Sequence, residues 1–289
     1  MTQWGVQRWQ GIIALGAFLC MTLPARGHAY SLLPLVTEDA RPLPNGVAEV
    51  SLGIAYFKDL RFPAFTPPRS LRSQDLLGLP QSGVRIGAGD WVEIQATYEA
   101  LYLDERAADG KKNSKFGSGD LRLFTKVRLM READLLPALG LRFGTKLPNA
   151  SQSDRLGTDE TDFGADVLAS KSVGLLTAHV NLGLLLLGNP GSSGGQDDLF
   201  NYALGLSSLP LGTTQVGGIN IKLLGELAGL AGSRFDNDRT AVRVGLQMQR
   251  GPATLYIGVN TGLVTASENL GVSTGFVYTF EPAKLLRRE

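Results

Sequence analysis

A β-strand turns successive side chains to opposite faces, and residues 119–131 use that rule to sort two chemistries completely. One face carries Leu121, Leu123, Thr125, Val127 and Leu129; the other carries Asp120, Arg122, Phe124, Lys126 and Arg128. A soluble sheet would cover the apolar face with helices or a second sheet. Here the pattern recurs in about a dozen segments with few helices to cover them. A closed barrel in a membrane, apolar outside and polar inside, satisfies every strand at once.

The alternation predicts twelve strands, at 46–57, 82–88, 91–103, 119–131, 138–147, 162–171, 174–187, 198–208, 216–229, 239–250, 253–262 and 271–280. Most approach the 9–11 residues of a tilted membrane strand. The gaps alternate in length. Gly89-Asp90, 132–137, Ser172-Val173, 209–215 and Gly251-Pro252 are short; 58–81, 104–118, 148–161, 188–197, 230–238 and 263–270 are longer and rich in Gly, Asp, Ser, Asn and Lys. Short periplasmic turns and long external loops are the habit of outer-membrane barrels. An even strand number places both termini on the periplasmic side. The expected fold is therefore an all-β, up-and-down antiparallel transmembrane barrel.

The outward faces are expected to carry no charge, since a Lys or Arg at the bilayer midplane costs about 2–4 kcal/mol. Tyr56, Tyr102, Phe163, Phe200 and Tyr202 gather toward the long loops, and Phe276, Tyr278 and Phe280 at the other rim, as interfacial aromatic girdles would. The inward faces hold Glu49, Glu93, Glu99, Asp120, Asp162, Asp166 and Glu226 against Arg122, Lys126, Arg128, Arg142, Lys146, Lys222 and Arg243. Charges in a narrow lumen must pair or line water. The equal numbers disfavour a strongly ion-selective pore.

The amino terminus reads as a secretory signal: Arg8, an apolar core over 11–23, and Gly27-His28-Ala29 before a cut after Ala29. The only cysteine, Cys20, falls in that leader, so the exported chain forms no disulfide of its own. The whole chain has 28 basic and 27 acidic residues; losing Arg8 and Arg26 leaves 26 against 27, a charge of −1. That balance argues against nucleic acid as a partner. The expected partners are outer-membrane lipid and lipopolysaccharide, the barrel-assembly machinery and a small-molecule solute. The expected location is a bacterial outer membrane, with 30–280 as the barrel and 281–289 as a short periplasmic tail.

The stretch Gly117-Ser118-Gly119-Asp120-Leu121-Arg122-Leu123, then LGLRFGTKLPNAS at 139–151, LGTDETDFGADVLASKSVG at 156–174 and HVNLGLLLLG at 179–188, resembles an outer-membrane transporter family associated with the meta-pathway of phenol degradation. The likeness is best over 115–190. It implies a membrane barrel that passes small hydrophobic or aromatic compounds, and it carries over no substrate-binding residue. One departure is the segment EPAKLLRRE after Phe280, which follows what would otherwise be a carboxy-terminal assembly signal.

Catalysis is not expected. His179, the only histidine after the leader, faces inward by parity with Thr177 and Asn181, and one histidine does not make a zinc site. Gly191-Ser192-Ser193-Gly194-Gly195 spells a nucleophile motif by letter but lacks the strand-before, helix-after context. Acidic loop residues match no calcium loop, so neither metal nor cofactor is implied. The leading expectation is passive or facilitated passage through a charge-balanced lumen. Asp120, Arg122, Lys126, Arg128, Arg142, Lys146, Asp162, Asp166, His179, Lys222, Glu226 and Arg243 line it, and loops 58–81 and 104–118 gate it. A closed structural or adhesion barrel with a salt-bridged lumen is the alternative, and a soluble periplasmic ligand-binding β protein a further one.

Overall fold

The computed structural model describes residues 31–60, 71–107, 109–188, 197–210, 218–232, 238–265 and 267–285. Thirteen strand segments form one antiparallel sheet: β1 Ala48–Lys58, β2 Leu71–Ala88, β3 Val92–Ala107, β4 Lys112–Ser118, β5 Leu121–Met130, β6 Ala138–Leu147, β7 Asp162–Val173, β8 Leu176–Leu187, β9 Asp197–Ser208, β10 Asn220–Gly232, β11 Arg239–Arg250, β12 Ala253–Gly262 and β13 Leu270–Phe280. Each pairs with its neighbour, β13 returns to β1 along Ala48↔Phe280 to Lys58↔Leu270, and β2 closes on β3. The first half of β3 pairs with β5 and its outer half with β4, so β4 and β5 act as one strand broken at Gly119-Asp120. The wall is thus a closed barrel of twelve strands. With strands about 4.8 Å apart and tilted about 40°, a twelve-stranded backbone has a radius of about 12 Å.

The outer face is as alternation demands. Leu52, Ile94, Leu123, Leu184, Val244 and Leu255 all stand exposed on it. The aromatic ladder Phe276–Tyr278–Phe280 stacks at ring separations of 6.2 and 6.0 Å along β13. Inside, the ring of Tyr256 on β12 lies over Gly53 and Gly275, where any Cβ would collide with it.

Three expectations need correction. The segment read as a gating loop at 58–81 is strand from Leu71 onward, where β2 begins ahead of the irregularity between Gly78 and Gln81; residues 61–70 lie outside the described residues. Pro80 and the glycine hid that continuity in the sequence, since both break the alternation locally. The loop at 104–118 is likewise a hairpin, with β3 running to Ala107 and returning as β4. Finally, the outer face is not free of charge at its rims. Lys171 shares the outward face of β7 with Val167, at the turn end.

After β13 a single helical turn, α1 (Pro282–Leu285), ends the described chain. No helix is long and apolar enough to cross a membrane. The letter-match at 191–195 lies outside the described residues.

Candidate functional site

Residues 31–45 do not lie outside the barrel. They turn into the lumen ahead of β1 and cross its turn-side half as an extended strap. Inside a barrel a backbone without a ladder still needs partners for every N–H and C=O. The wall supplies them with side chains. Gln247 Nε2 donates to the carbonyls of Ser31 (2.9 Å) and Leu33 (2.6 Å). Glu226 accepts from the backbone N–H of Val36 (3.0 Å) and Thr37 (2.9 Å) and from the Thr37 hydroxyl (2.6 Å). Asn181 accepts from the N–H of Glu38 at 2.6 Å and donates to its carbonyl at 2.9 Å, imitating a neighbouring strand. Ser170 accepts from Ala40 N–H at 3.0 Å, and Glu93 from Leu43 N–H at 2.8 Å.

Shape matches the polar pairing. At inward glycines the strap fits where a Cβ would stand: Thr37 against Gly205 at 2.9 Å, Pro34 against Gly245 at 2.8 Å and against Gly258, and the Ala40 carbonyl against Gly140 at 2.9 Å. Leu43 and Pro44 carbonyls crowd Gly87 in the same way. A side chain at any of these positions would push the strap off the wall.

The strap also completes the charges. Arg85 on β2 pairs with Glu38, lies 3.2 Å from Glu93 and reaches toward Glu49 at 3.9 Å. Lys126 Nζ spends its three N–H bonds on Glu38 (3.2 Å), Glu93 (3.2 Å) and the Asp39 carbonyl (3.1 Å). Burial would raise the Glu38 carboxyl, but Arg85, Lys126 and Arg142 outweigh it and hold the group far below the usual carboxylate range. Asp39 is held low too: burial opposes this, and the Arg41 guanidinium, bonded at 2.7–3.1 Å, overcomes it.

Further up the lumen, Arg142 donates to Gln95 (2.9 Å) and Asp166 (3.3 Å) while lying 3.6 Å over the Phe124 ring, and Asn201 also donates to Asp166 at 2.7 Å. Lys146 bridges Asp120 (3.2 Å) and Asp162 (2.9 Å). Arg122 pairs with Glu99 at 2.9 Å, and Arg243 with Glu226. Asp120 also accepts from the backbone N–H of Asn149 and Ala150 at 3.0 and 2.9 Å, which draws loop 148–161 inward. Arg155 of that loop grips Glu105 at 2.5 Å. Ala150 and Leu156 then pack with Leu60, Leu76, Leu101 and Leu103 in a buried apolar cluster against the inner face of β2 and β3.

The lumen is therefore graded. Phe57, Leu101, Leu103, Leu185, Leu187 and Leu199 share the inward parity toward the long loops, and charged or amide side chains follow toward the turns. A cavity of about 110 Å³ remains beside the strap, lined by Glu38, Glu49, Arg85, Gln95, Thr97 and Arg142 among others.

Nine of the twelve residues expected at the constriction lie in these networks. His179 is fully buried and bonded on both ring nitrogens, to Ser170 at 2.9 Å and Ser207 at 3.0 Å. One ring nitrogen donates and the other accepts in the neutral imidazole, and a serine hydroxyl can meet either role. The ring is a strut behind the strap. Two residues do not join these networks. Arg128 sits at the turn-side rim, bonded to the Asp90 carbonyl and 5.7 Å from the Trp91 ring. Lys222 shares the inward parity of Leu224 and Glu226 and makes no ion pair among the described residues. The sequence reading missed Arg85, although the expected strand 82–88 contains it between Val84 and Ile86, because no inward face was assigned to that short segment. It missed Glu38 and Asp39 because nothing in 31–45 marks it as lumenal.

No family model matches the chain, and no curated protein matches it. Solved structures do. An outer-membrane channel from Pseudomonas putida F1 superposes with a TM-score of 0.61 at 15% identity, covering 85% of this chain and 100% of that one. The β domain of a Bordetella autotransporter gives 0.49 at 12% identity, over 81% of this chain and 99% of that one. The NanC porin gives 0.45 at 12% identity, over 80% and 98%. The first likeness shows a shared fold, that of an outer-membrane barrel.

Proposed function

We propose that this chain passes small molecules through its lumen across a bacterial outer membrane, and that its solutes are small hydrophobic or aromatic compounds. The observation that carries the reading is the graded lumen. A pore for hydrated solutes gains nothing from the half-buried Phe57, Leu185 and Leu187 on its inner face, whereas an apolar solute partitions onto them. The resemblance to phenol-pathway transporters points the same way. The cavity beside the strap holds only a few waters at about 30 Å³ each. A phenol-sized molecule therefore needs the strap to shift, and the strap is the barrier to passage.

A second reading is favoured by one observation, the row of glycine sockets. A strap so closely housed is also what a permanently sealed, structural barrel would have. Solute entry into liposomes separates the two. Refolded residues 30–289 and a chain lacking 31–43 are compared with phenolic compounds and sugars of graded size. Entry of phenolics with the full chain supports transport. If only the shortened chain admits solutes, the sealed barrel stands; if neither does while both are folded, passage through the lumen is wrong.

A further inference from the structure

At the long-loop end, the outer faces of β1 to β4 carry an apolar row with cations above it. The register sets Tyr56 against Leu77, Leu77 against Tyr102 and Tyr102 against Phe116, so the row crosses all four segments. These side chains face outward, and Phe116 is 71% exposed. Aromatic rings in such a row rest at headgroup level. Beyond it β3 continues to Ala107, and Arg106 stands directly opposite Lys112 across the hairpin. Four residues of tilted strand lift Arg106 about 10 Å above the rings, clear of the hydrocarbon. Lys58, at the end of β1, faces outward two strand spacings away, about 10 Å. Among the strand side chains described, the outward cations of this end are Lys58, Arg106 and Lys112; all three are exposed, and they gather on neighbouring strands.

Three acids lie beside these cations, and each takes a neutral donor instead. Asp75 accepts from the Tyr56 hydroxyl and the Asp59 N–H, both at 3.0 Å. Asp104 accepts from the Ser114 hydroxyl at 3.0 Å, and Asp59 from the Asn269 amide at 2.7 Å. The hairpin's own ion pairs join Lys111 to Asp109 at 3.1 Å and Lys115 to Asp154 at 3.2 Å. Lys58, Arg106 and Lys112 enter no ion pair among the described residues. Like charges directly opposite on a sheet repel, their Cβ atoms being about 4.5–5.5 Å apart. The Arg106↔Lys112 pair is therefore unfavourable alone and favourable around an anion. A phosphate group suits it: the guanidinium fork meets two oxygens and the ammonium a third.

We propose that this corner binds lipopolysaccharide of the outer leaflet. Its acyl chains lie on Tyr56, Leu77, Tyr102 and Phe116, one phosphate of its diphosphorylated glucosamine pair sits between Arg106 and Lys112, and Lys58 serves the other. Binding here needs the outer-membrane placement but not passage through the lumen. The test takes protein purified from outer membranes of cells making the full chain, strips it of lipid in detergent, reloads it with lipid A and weighs the complexes by native mass spectrometry. The wild type is expected to retain diphosphorylated lipid A at least tenfold better than lipid A freed of phosphate. Lys58→Gln, Arg106→Gln and Lys112→Gln together are expected to abolish that preference while heat-shifted mobility shows an intact barrel, and Arg106→Lys, which keeps the charge but not the fork, to weaken it severalfold. An unchanged preference in the triple variant, or none in the wild type, overturns the proposal. Displacement by an equal concentration of phosphatidylglycerol overturns it in favour of a general anionic-headgroup site. Loss of lipid A on adding EDTA overturns the direct pairing in favour of a divalent ion bridging Asp75 and Asp104 to the phosphate.

Discussion

Glu226→Ala tests whether the strap is held by the wall or merely rests there. Glu226 is almost fully buried and accepts from Val36 N–H, Thr37 N–H and the Thr37 hydroxyl at 3.0, 2.9 and 2.6 Å, while pairing with Arg243. A hydrogen bond to a charged group contributes about 1.5–3 kcal/mol, and stripping one partner from a buried pair costs about 3–5 kcal/mol. These overlap, because one carboxylate serves both the strap and Arg243. A loss of about 3 kcal/mol from strap attachment is a fair central figure, which multiplies the detached fraction by about a hundred. The assay is single-channel recording in planar bilayers, scored as time spent in the high-conductance state. A chain lacking 31–43 sets the fully open reference, and heat-shifted gel mobility shows that each barrel is folded. Glu226→Gln keeps an acceptor for Val36 and Thr37 and is expected between the two. If Glu226→Ala records like the wild type while the shortened chain conducts freely, the strap is not held by this carboxylate and the reasoning fails.

Gly205→Val keeps every ion pair but places carbon where Thr37 sits, so it too is expected to raise open time; recordings identical to wild type would show that the socket does not seat the strap. The pH response follows from Glu38. Its carboxyl is depressed in the folded protein, so its contribution to attachment is fully present above about 4.3, the value for a free glutamate, and fades only as pH falls toward the lower folded value. Open time is therefore expected to stay flat from pH 8 to about 4.5 and to rise below it; an opening midpoint near neutrality would contradict the Glu38 pairing. Asp120→Ala removes the acceptor for Asn149 and Ala150 and leaves Lys146 with Asp162, so loop 148–161 is expected to detach, read as faster proteolysis within the loop while the barrel remains heat-modifiable. Replacing Arg122 and Arg142 together by glutamine is expected to change solute permeability; unchanged flux and selectivity would remove both from the path.

The wall was legible because the membrane enforces one rule everywhere. Leu121 to Leu129 and Asp120 to Arg128 declare their faces with no help from tertiary structure, and the register of β5 on β6 then sets Lys126 beside Arg142 as parity requires. Where the rule is interrupted, reading failed. Gly78 to Gln81 disrupts the β1–β2–β3 ladder, and the bend at Gly119-Asp120 ends β4 and starts β5. Both are local departures that only the pairing of neighbouring strands resolves. Outward charge at the rim was misjudged for a related reason: the cost of Lys171 depends on Ala133, Asp134 and Leu136, which strand parity does not contain.

The strap was illegible for a different reason. Segment 31–45 has no alternation, since its partners are not another strand but single side chains from β2, β3, β5, β7, β8, β10 and β11. What signals it in retrospect is the wall. Gly87, Gly140, Gly205, Gly245 and Gly258 stand at inward positions of strands where glycine weakens packing unless a backbone must approach. The inward charge list takes one exchange and also lacks Glu105 of β3 and Arg239 of β11, which share the inward parity. Arg128 belongs to the rim and Arg85 to the lumen, so the exchange leaves the wall neutral while moving a cation to the one place where Glu38, Glu49 and Glu93 converge. Without Arg85 those carboxylates would lose the cation they share, and burying them together would cost more than the strap's hydrogen bonds return. The cation that fixes the strap thus stands in the strand whose recognised part, 82–88, was the shortest of the twelve.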